Sequence, residues 1–299
     1  MKLLRIILAA LVLSAPCHAF ARKVVDQAGR EVEIPADPGR IISLAPSITE
    51  VVFSLGKGNL LKGATLYSDD PPEARKLPRV GSYVQLDIEK IVALRPDLCL
   101  AIKDGNPIHT VNRIESLGVP VYVVNPRSLE SIVAMVDGLG NILGAAERAE
   151  RITGDMRARM EKIRNRLGDK IDRPKVFFQI DAAPIVSAGR NTFIDELIVT
   201  AGGINLAANA GTAYPKFSWE DILALQPEVA IVASMAGGFS AEDLRSGWQR
   251  WPQLPAVKNK RVHVVDAGLV DRPTPRLIDG LETFAAIIHP ELFGKETDD

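Results

Sequence analysis

Asp87-Ile88-Glu89-Lys90-Ile91-Val92-Ala93-Leu94-Arg95-Pro96-Asp97-Leu98 returns, 131 residues later, as Ser218-Trp219-Glu220-Asp221-Ile222-Leu223-Ala224-Leu225-Gln226-Pro227-Glu228-Val229. Glu, Ile, Ala, Leu and Pro recur in register. Each copy reads as a helix opened by a capping side chain, Asp87 or Ser218, stopped before a proline and followed by an apolar strand. One such segment in each half of the chain predicts two similar α/β lobes.

Outward from the first copy, β and α patterns alternate. Residues 24–35 read as a small hairpin around the turn at Gly29. Residues 40–45 form a short apolar strand, and Ser47 or Thr49 is placed to cap a helix running to Leu55. After the strand at 97–102 come a helix at 107–117, stopped by Gly118, and a strand at 119–124. Strands alternating with short helices imply βαβ units and a mostly parallel sheet. From Ala145 to Ile171 the pattern changes. Charged residues are interleaved with Ile152, Met156, Met160, Ile163 and Leu167, an apolar stripe at helical spacing. This predicts one long, rigid, charged helix, after which the alternation restarts at Lys175. The expected organisation is a signal peptide at 1–21, an N-terminal α/β lobe at 22–144, an inter-lobe helix at 145–171 and a C-terminal α/β lobe at 172–299.

The chain has 299 residues, 46% hydrophobic and 24% charged, with 37 acidic against 36 basic residues. That composition argues for a globular fold. Without a basic run or stripe, a nucleic-acid partner is disfavoured. No apolar stretch reaches the ~20 residues of a membrane span. Residues 1–21 carry Lys2 and Arg5, an apolar run at 6–13, Pro16 and the small-x-small site Ala19-Phe20-Ala21. That is the pattern of a secretory signal peptide and implies the periplasm. Pro16 directly before Cys17 does not suit lipidation. The mature chain keeps Cys99 alone, so no intramolecular disulfide forms, and its apolar surroundings make it a buried strand residue.

Several catalytic signatures are missing. There is no Gly-x-Gly-x-x-Gly after a strand, no Walker A loop and no Gly-x-Ser-x-Gly elbow. His109, His263 and His289 are scattered without metal-ligand spacing. A secreted two-lobed α/β chain of this kind suits ligand capture, because loops at strand ends line a cleft between the lobes. The opposing reading is a secreted α/β enzyme acting on a small metabolite. A third is a surface sensor or adhesin, which would bind a protein and no small ligand.

Arg40-Ile41-Ile42-Ser43-Leu44-Ala45-Pro46-Ser47-Ile48-Thr49-Glu50 resembles the opening of the iron-complex and cobalamin periplasmic binding proteins of ABC importers. So do Tyr67-Ser68-Asp69-Asp70-Pro71-Pro72, Leu77-Pro78-Arg79-Val80-Gly81-Ser82-Tyr83, Ala201-Gly202-Gly203-Ile204-Asn205 and Arg272-Pro273-Thr274-Pro275-Arg276, in order along the chain. The resemblance implies two Rossmann-like lobes joined by one long helix, the class III arrangement of these metal-chelate receptors. It implies a monomer that takes a cobalamin-like corrinoid or an iron-siderophore complex, needs no cofactor, and meets a membrane permease and its ATPase. It places Tyr67, Tyr83, Tyr214 and the loop Gly268-Leu269-Val270-Asp271-Arg272 against the ligand. It also makes Glu89 and Glu220 the two acidic points that dock on permease arginines. Arg272 suits an anionic siderophore or a propionate, since a guanidinium fork matches a carboxylate. Cobalamin-binding members carry tryptophan where this chain has Tyr83, Tyr214 and Ile102. A haem-binding variant of the same fold would need an axial ligand such as a cleft tyrosine or His109. Trp219, Trp248 and Trp251 are expected in packing roles.

Overall fold

The two copies of the repeat occupy the same place in two sheets. The computed structural model describes residues 21–168, 171–233 and 240–294; the signal-peptide reading of residues 1–20 lies outside them. One sheet runs Leu61–Gly63, Ile41–Ser43, Leu98–Ile102, Val121–Val124, with every pair parallel. The other runs Ile204–Asn205, Lys175–Gln179, Val229–Val232, Val262–Val264, again all parallel. Counted by chain order within each lobe, both sheets have the order 2-1-3-4. The third strand of each follows a short helix, Ile88–Ala93 or Trp219–Leu225, capped by Asp87 or Ser218 as the sequence predicts.

The correspondence reaches the backbone. Arg95 and Gln226, at matching positions directly before proline, both take the left-handed conformation (φ 48° and 49°), which costs a residue bearing a β-carbon about 1–2 kcal/mol. The position is held by the next acidic residue. The Asp97 carboxylate accepts from the N–H groups of Gly39 (2.8 Å) and Arg40 (3.0 Å), and the Glu228 carboxylate accepts from Lys175 N–H (2.7 Å). The Asp97 and Glu228 N–H groups return bonds to the carbonyls of Arg40 and Lys175, 2.9 Å each. Each lobe therefore locks its first strand to its third by the same device.

Buried parallel strands read as continuous apolar runs because both faces are covered. Ile41, Leu98, Leu100, Tyr122 and Val124 face a central core, and Ile42, Cys99, Ala101, Val121 and Val123 face an outer one. In the second lobe Val176, Phe178, Val229 and Ile231 join the same central core. Phe177, Ala230 and Val232 pack outward on Trp248 and its neighbours. The central core is thus continuous from lobe to lobe. Cys99 is buried as expected, and burial, with Asp97 adding to it, pushes its thiol up to about 12.

The long helix is Ala146–Leu167, shorter at its C-terminal end than the 145–171 expected, and Gly168 at φ 64° closes it. It buries Met156, Met160 and Ile163, and half-buries Ile152 and Leu167 against the central core. Its charged face is tied to both lobes. Arg148 donates to Ser54 O (2.5 Å), Arg157 pairs with Glu130 (2.9 Å), and Arg159 grips Glu282 (2.7 Å) and Asp279 (2.5 Å). Glu196 of the second lobe also accepts from Leu129 N–H of the first at 2.5 Å.

One local expectation needs correction. The helix after the first strand is Pro46–Ser54, begun by Ala45 without a side-chain cap. Neither Ser47 nor Thr49 caps it, because Pro46 fills the first helical position and the Thr49 hydroxyl bonds elsewhere. The second lobe also carries a short antiparallel ribbon, Lys216–Phe217, Ile185–Val186, Asp181–Ala182, after its first strand, whereas the antiparallel hairpin of the first lobe, Ala21–Val25 with Glu31–Pro35, precedes its first strand.

Candidate ligand-binding cleft

In an open parallel sheet, ligands bind beyond the carboxyl ends of the strands, where the strand order reverses. With the order 2-1-3-4 that point lies between the first and third strands of each lobe. The expected binding residues lie on loops beyond the second strand of each lobe and beyond the fourth strand of the second lobe, and ion pairs bring loops of the two lobes together.

Tyr67 projects from the loop after Leu61–Gly63 and is 61% exposed. Its neighbour Ser68 is fully buried, within hydrogen-bond reach of the hydroxyls of Thr49 (3.0 Å) and Thr65 (2.9 Å). Tyr83 is half-buried. Its ring lies so close to Gly105 that a β-carbon there would sit 2.8 Å away. The buried Asn106 fixes that loop, donating to Tyr83 O (2.7 Å) and Leu44 O (2.9 Å) while accepting from Ile102 N–H (2.8 Å). Sequence reasoning missed Asn106. Its signal was an amide directly after a glycine at a strand's carboxyl end. Tyr214 reaches from the second lobe toward the first. Burial raises its phenol pKa, and the Asp104 charge adds to this while Arg127, paired with Asp104 at 2.8 Å, opposes it. Asp271 and Tyr83 act on it as well, so this tyrosine stands among groups of both lobes.

The second-lobe loop divides by role. Asp266 accepts from Gly268 N–H (2.8 Å) and starts the short turn Ala267–Val270. Val270 is fully buried in the central core and Leu269 packs against it, so these two support the loop from beneath. Asp271 has both carboxylate oxygens buried and without a hydrogen-bond partner among the described residues. Burial pushes its carboxyl up to about 8 against the pull of Arg272. Arg272 does not stand free for an anionic ligand, as the sequence suggested. Its guanidinium crosses to the first lobe, donating to Glu50 (2.6 Å), Asp69 (3.2 Å) and Tyr67 O (3.4 Å). Arg276, four residues further on and directly before the helix Leu277–Ile288, pairs with Asp70 and lies 3.7 Å from Glu50. Burial raises the pKa of Glu50, with Arg272 opposing. The quoted motifs contained all of these residues, but nothing in the sequence paired them.

Glu89 and Glu220 are exposed, each the second residue of its helix. Those helices lead back to the start of the third strands, so their N-terminal turns stand at the carboxyl edge of the sheets. His109 is exposed in the first turn of Ile108–Ser116. The three tryptophans pack together, Trp219 lying 5.4 Å from Trp248 and 5.9 Å from Trp251, and Trp248 donates to Gln179 (2.9 Å).

Residues 41–269 match the family model described as periplasmic binding protein. The chain belongs to this family. The vitamin B12-binding protein of Vibrio cholerae is 32% identical over 252 residues, 83% of this chain and 88% of that protein. An uncharacterized ABC transporter substrate-binding lipoprotein of Bacillus subtilis is 30% identical, covering 92% of this chain and 88% of its own length. Among solved structures, a periplasmic heme binding protein from Pseudomonas aeruginosa superposes with a TM-score of 0.77 at 28% identity, over 85% of this chain and 94% of the other. Two α/β lobes joined by a long helix are what the repeat and the apolar stripe of the charged segment together predicted.

Proposed function

We propose that this chain is the extracytoplasmic substrate-binding component of an ABC importer. Its signal peptide, residues 1–21, directs it to the periplasm. It captures a metal-bearing chelate, a cobalamin-like corrinoid or an iron-siderophore complex, between its lobes, and hands it unchanged to a membrane permease and its ATPase. What supports this reading is the nearness of Tyr214 of the second lobe to Tyr83 and Asp104 of the first; the exposed Tyr67 and the exposed pair Glu89 and Glu220 at matching positions of the repeat agree with it. Flat side chains stack on a large ring while a few polar groups orient it. The chelate brings its own donors to the metal, so the protein binds the complex as a monomer and supplies no cofactor. Two separated like charges fix the orientation of docking more than its strength.

Haem is the second reading. Phenols stand at positions where cobalamin binders carry tryptophan, and a phenol oxygen can ligate iron while an indole cannot.

The test is a thermal-shift and titration series with cyanocobalamin, cobinamide, haemin and ferric hydroxamates. A ligand that binds only the native state raises the melting temperature. A one-to-one rise with a corrinoid or ferric chelate is expected, and silence from every compound overturns the reading. Glu89→Ala with Glu220→Ala should abolish uptake and leave affinity intact; an equal loss of affinity would remove the docking role.

A further inference from the structure

The loop bearing Tyr67 is clamped from two sides. From its own lobe, Arg79 donates to the carbonyls of Thr65 and Ser68 at 2.8 Å each. The Ser68 hydroxyl sits in a buried chain with Thr65, Thr49 and Ser43. Leu66 N–H donates to Gly81 O (2.9 Å) and Ser68 N–H to Thr65 O (3.1 Å). From the opposite lobe, Arg272 donates to Tyr67 O and Asp69, and Arg276 pairs with Asp70. Both arginines also face Glu50, on the helix whose Thr49 belongs to the hydroxyl chain. Every residue from Thr65 to Asp70 except Leu66 is thus touched by a side chain of this clamp, while the Tyr67 side chain itself remains exposed.

We infer that Arg276, with Arg272 and Glu50, is a positioning residue: it ties the pose of Tyr67 to the spacing of the lobes, so that Tyr67 is set for its ligand while the lobes are clasped. This rests on the reading of Tyr67 as a ligand contact. A contact whose geometry is fixed in advance loses less freedom on binding. The clamp also assigns the arginines to the lobe junction, in place of a counter-ion role toward a ligand carboxylate. Three carboxylates meet two guanidiniums there, so each cation is already matched.

Two measurements on the full mature chain test the clamp. In the ligand-free protein, Arg276→Gln should speed amide exchange at Leu66 and Ser68, whose N–H groups donate to Gly81 O and Thr65 O, at least tenfold and leave Cys99 and Ile231 in the sheet cores unchanged. Arg276→Lys, which keeps the charge opposite Asp70, should restore most of the protection. Unchanged exchange in the loop overturns the inference, whether or not any ligand binds. Affinity for cyanocobalamin and haemin is then measured for the wild type, Tyr67→Ala, Arg276→Gln and the double variant. Arg276→Gln should weaken binding about fivefold alone and less than twofold once Tyr67 is gone, because positions acting through one another are not additive. Full additivity overturns the coupling. If neither probe binds the wild type, a ferric hydroxamate takes their place, and silence from that as well overturns the ligand reading while the exchange result alone decides the clamp. Should Arg276→Gln fail to fold, Asp70→Asn removes the same pair from the other lobe and is read the same way.

Discussion

The two lobes share a scaffold and differ in what they hang on it. Strand order, the capped helix before the third strand, the left-handed residue before proline and the acidic lock on the first strand all occur twice. The loops at the carboxyl ends do not repeat. The first lobe offers a braced tyrosine loop with acidic residues. The second offers arginines, a buried unpaired carboxylate and an added ribbon beneath which its aromatic cluster packs. Repeated parts serve packing and register, whereas the unlike parts meet in the cleft. Specific recognition of an asymmetric ligand requires that difference.

The comparison can be broken most forcefully in the cores. Ile91 and Ile222 occupy matching positions and both are fully buried. Truncating either to alanine should cost about 2–5 kcal/mol, and denaturant unfolding should give values for the two within about 1 kcal/mol of each other, within the spread of such sites. A cost at only one site would show that the helices are alike in sequence but not in packing.

The unlike loops predict a pH signature. The Asp271 carboxyl is held at about 8 when folded, against an ordinary value of 3.8. A raised folded value contributes stability that is complete below the unfolded pKa and is lost as pH rises through the folded one. The melting temperature of Asp271→Asn, relative to wild type, should therefore climb between pH 4 and pH 8 and level off above. A flat difference would mean that the carboxylate finds a partner or water. The smallest effect concerns the shared backbone. Arg95→Gly and Gln226→Gly should each stabilise by about 1 kcal/mol, since glycine enters the left-handed region without a steric cost. Destabilisation at either position would show that its side chain compensates for the strain.

Much of the scaffold was legible because its causes are local. Caps, proline stops and apolar periodicity act within a few residues, so the helix at 88–93 and the strand at 98–102 could be read directly. The long helix was legible from its stripe, though its end was not. Gly168 stops it, and the residues beyond had looked equally polar. The cap at Ser47 or Thr49 was misread because the Thr49 hydroxyl answers to Ser43 and Ser68, the latter in another loop.

Sequence alone determined that there are two α/β units of one pattern and a charged connecting helix. Only the tertiary structure decided what the charged cleft residues do. Arg272 and Glu50 lie 222 residues apart, and no local preference couples positions so distant. Their pairing follows from the continuous core that brings the lobes together, and burial then makes a matched partner the least costly state for each charge.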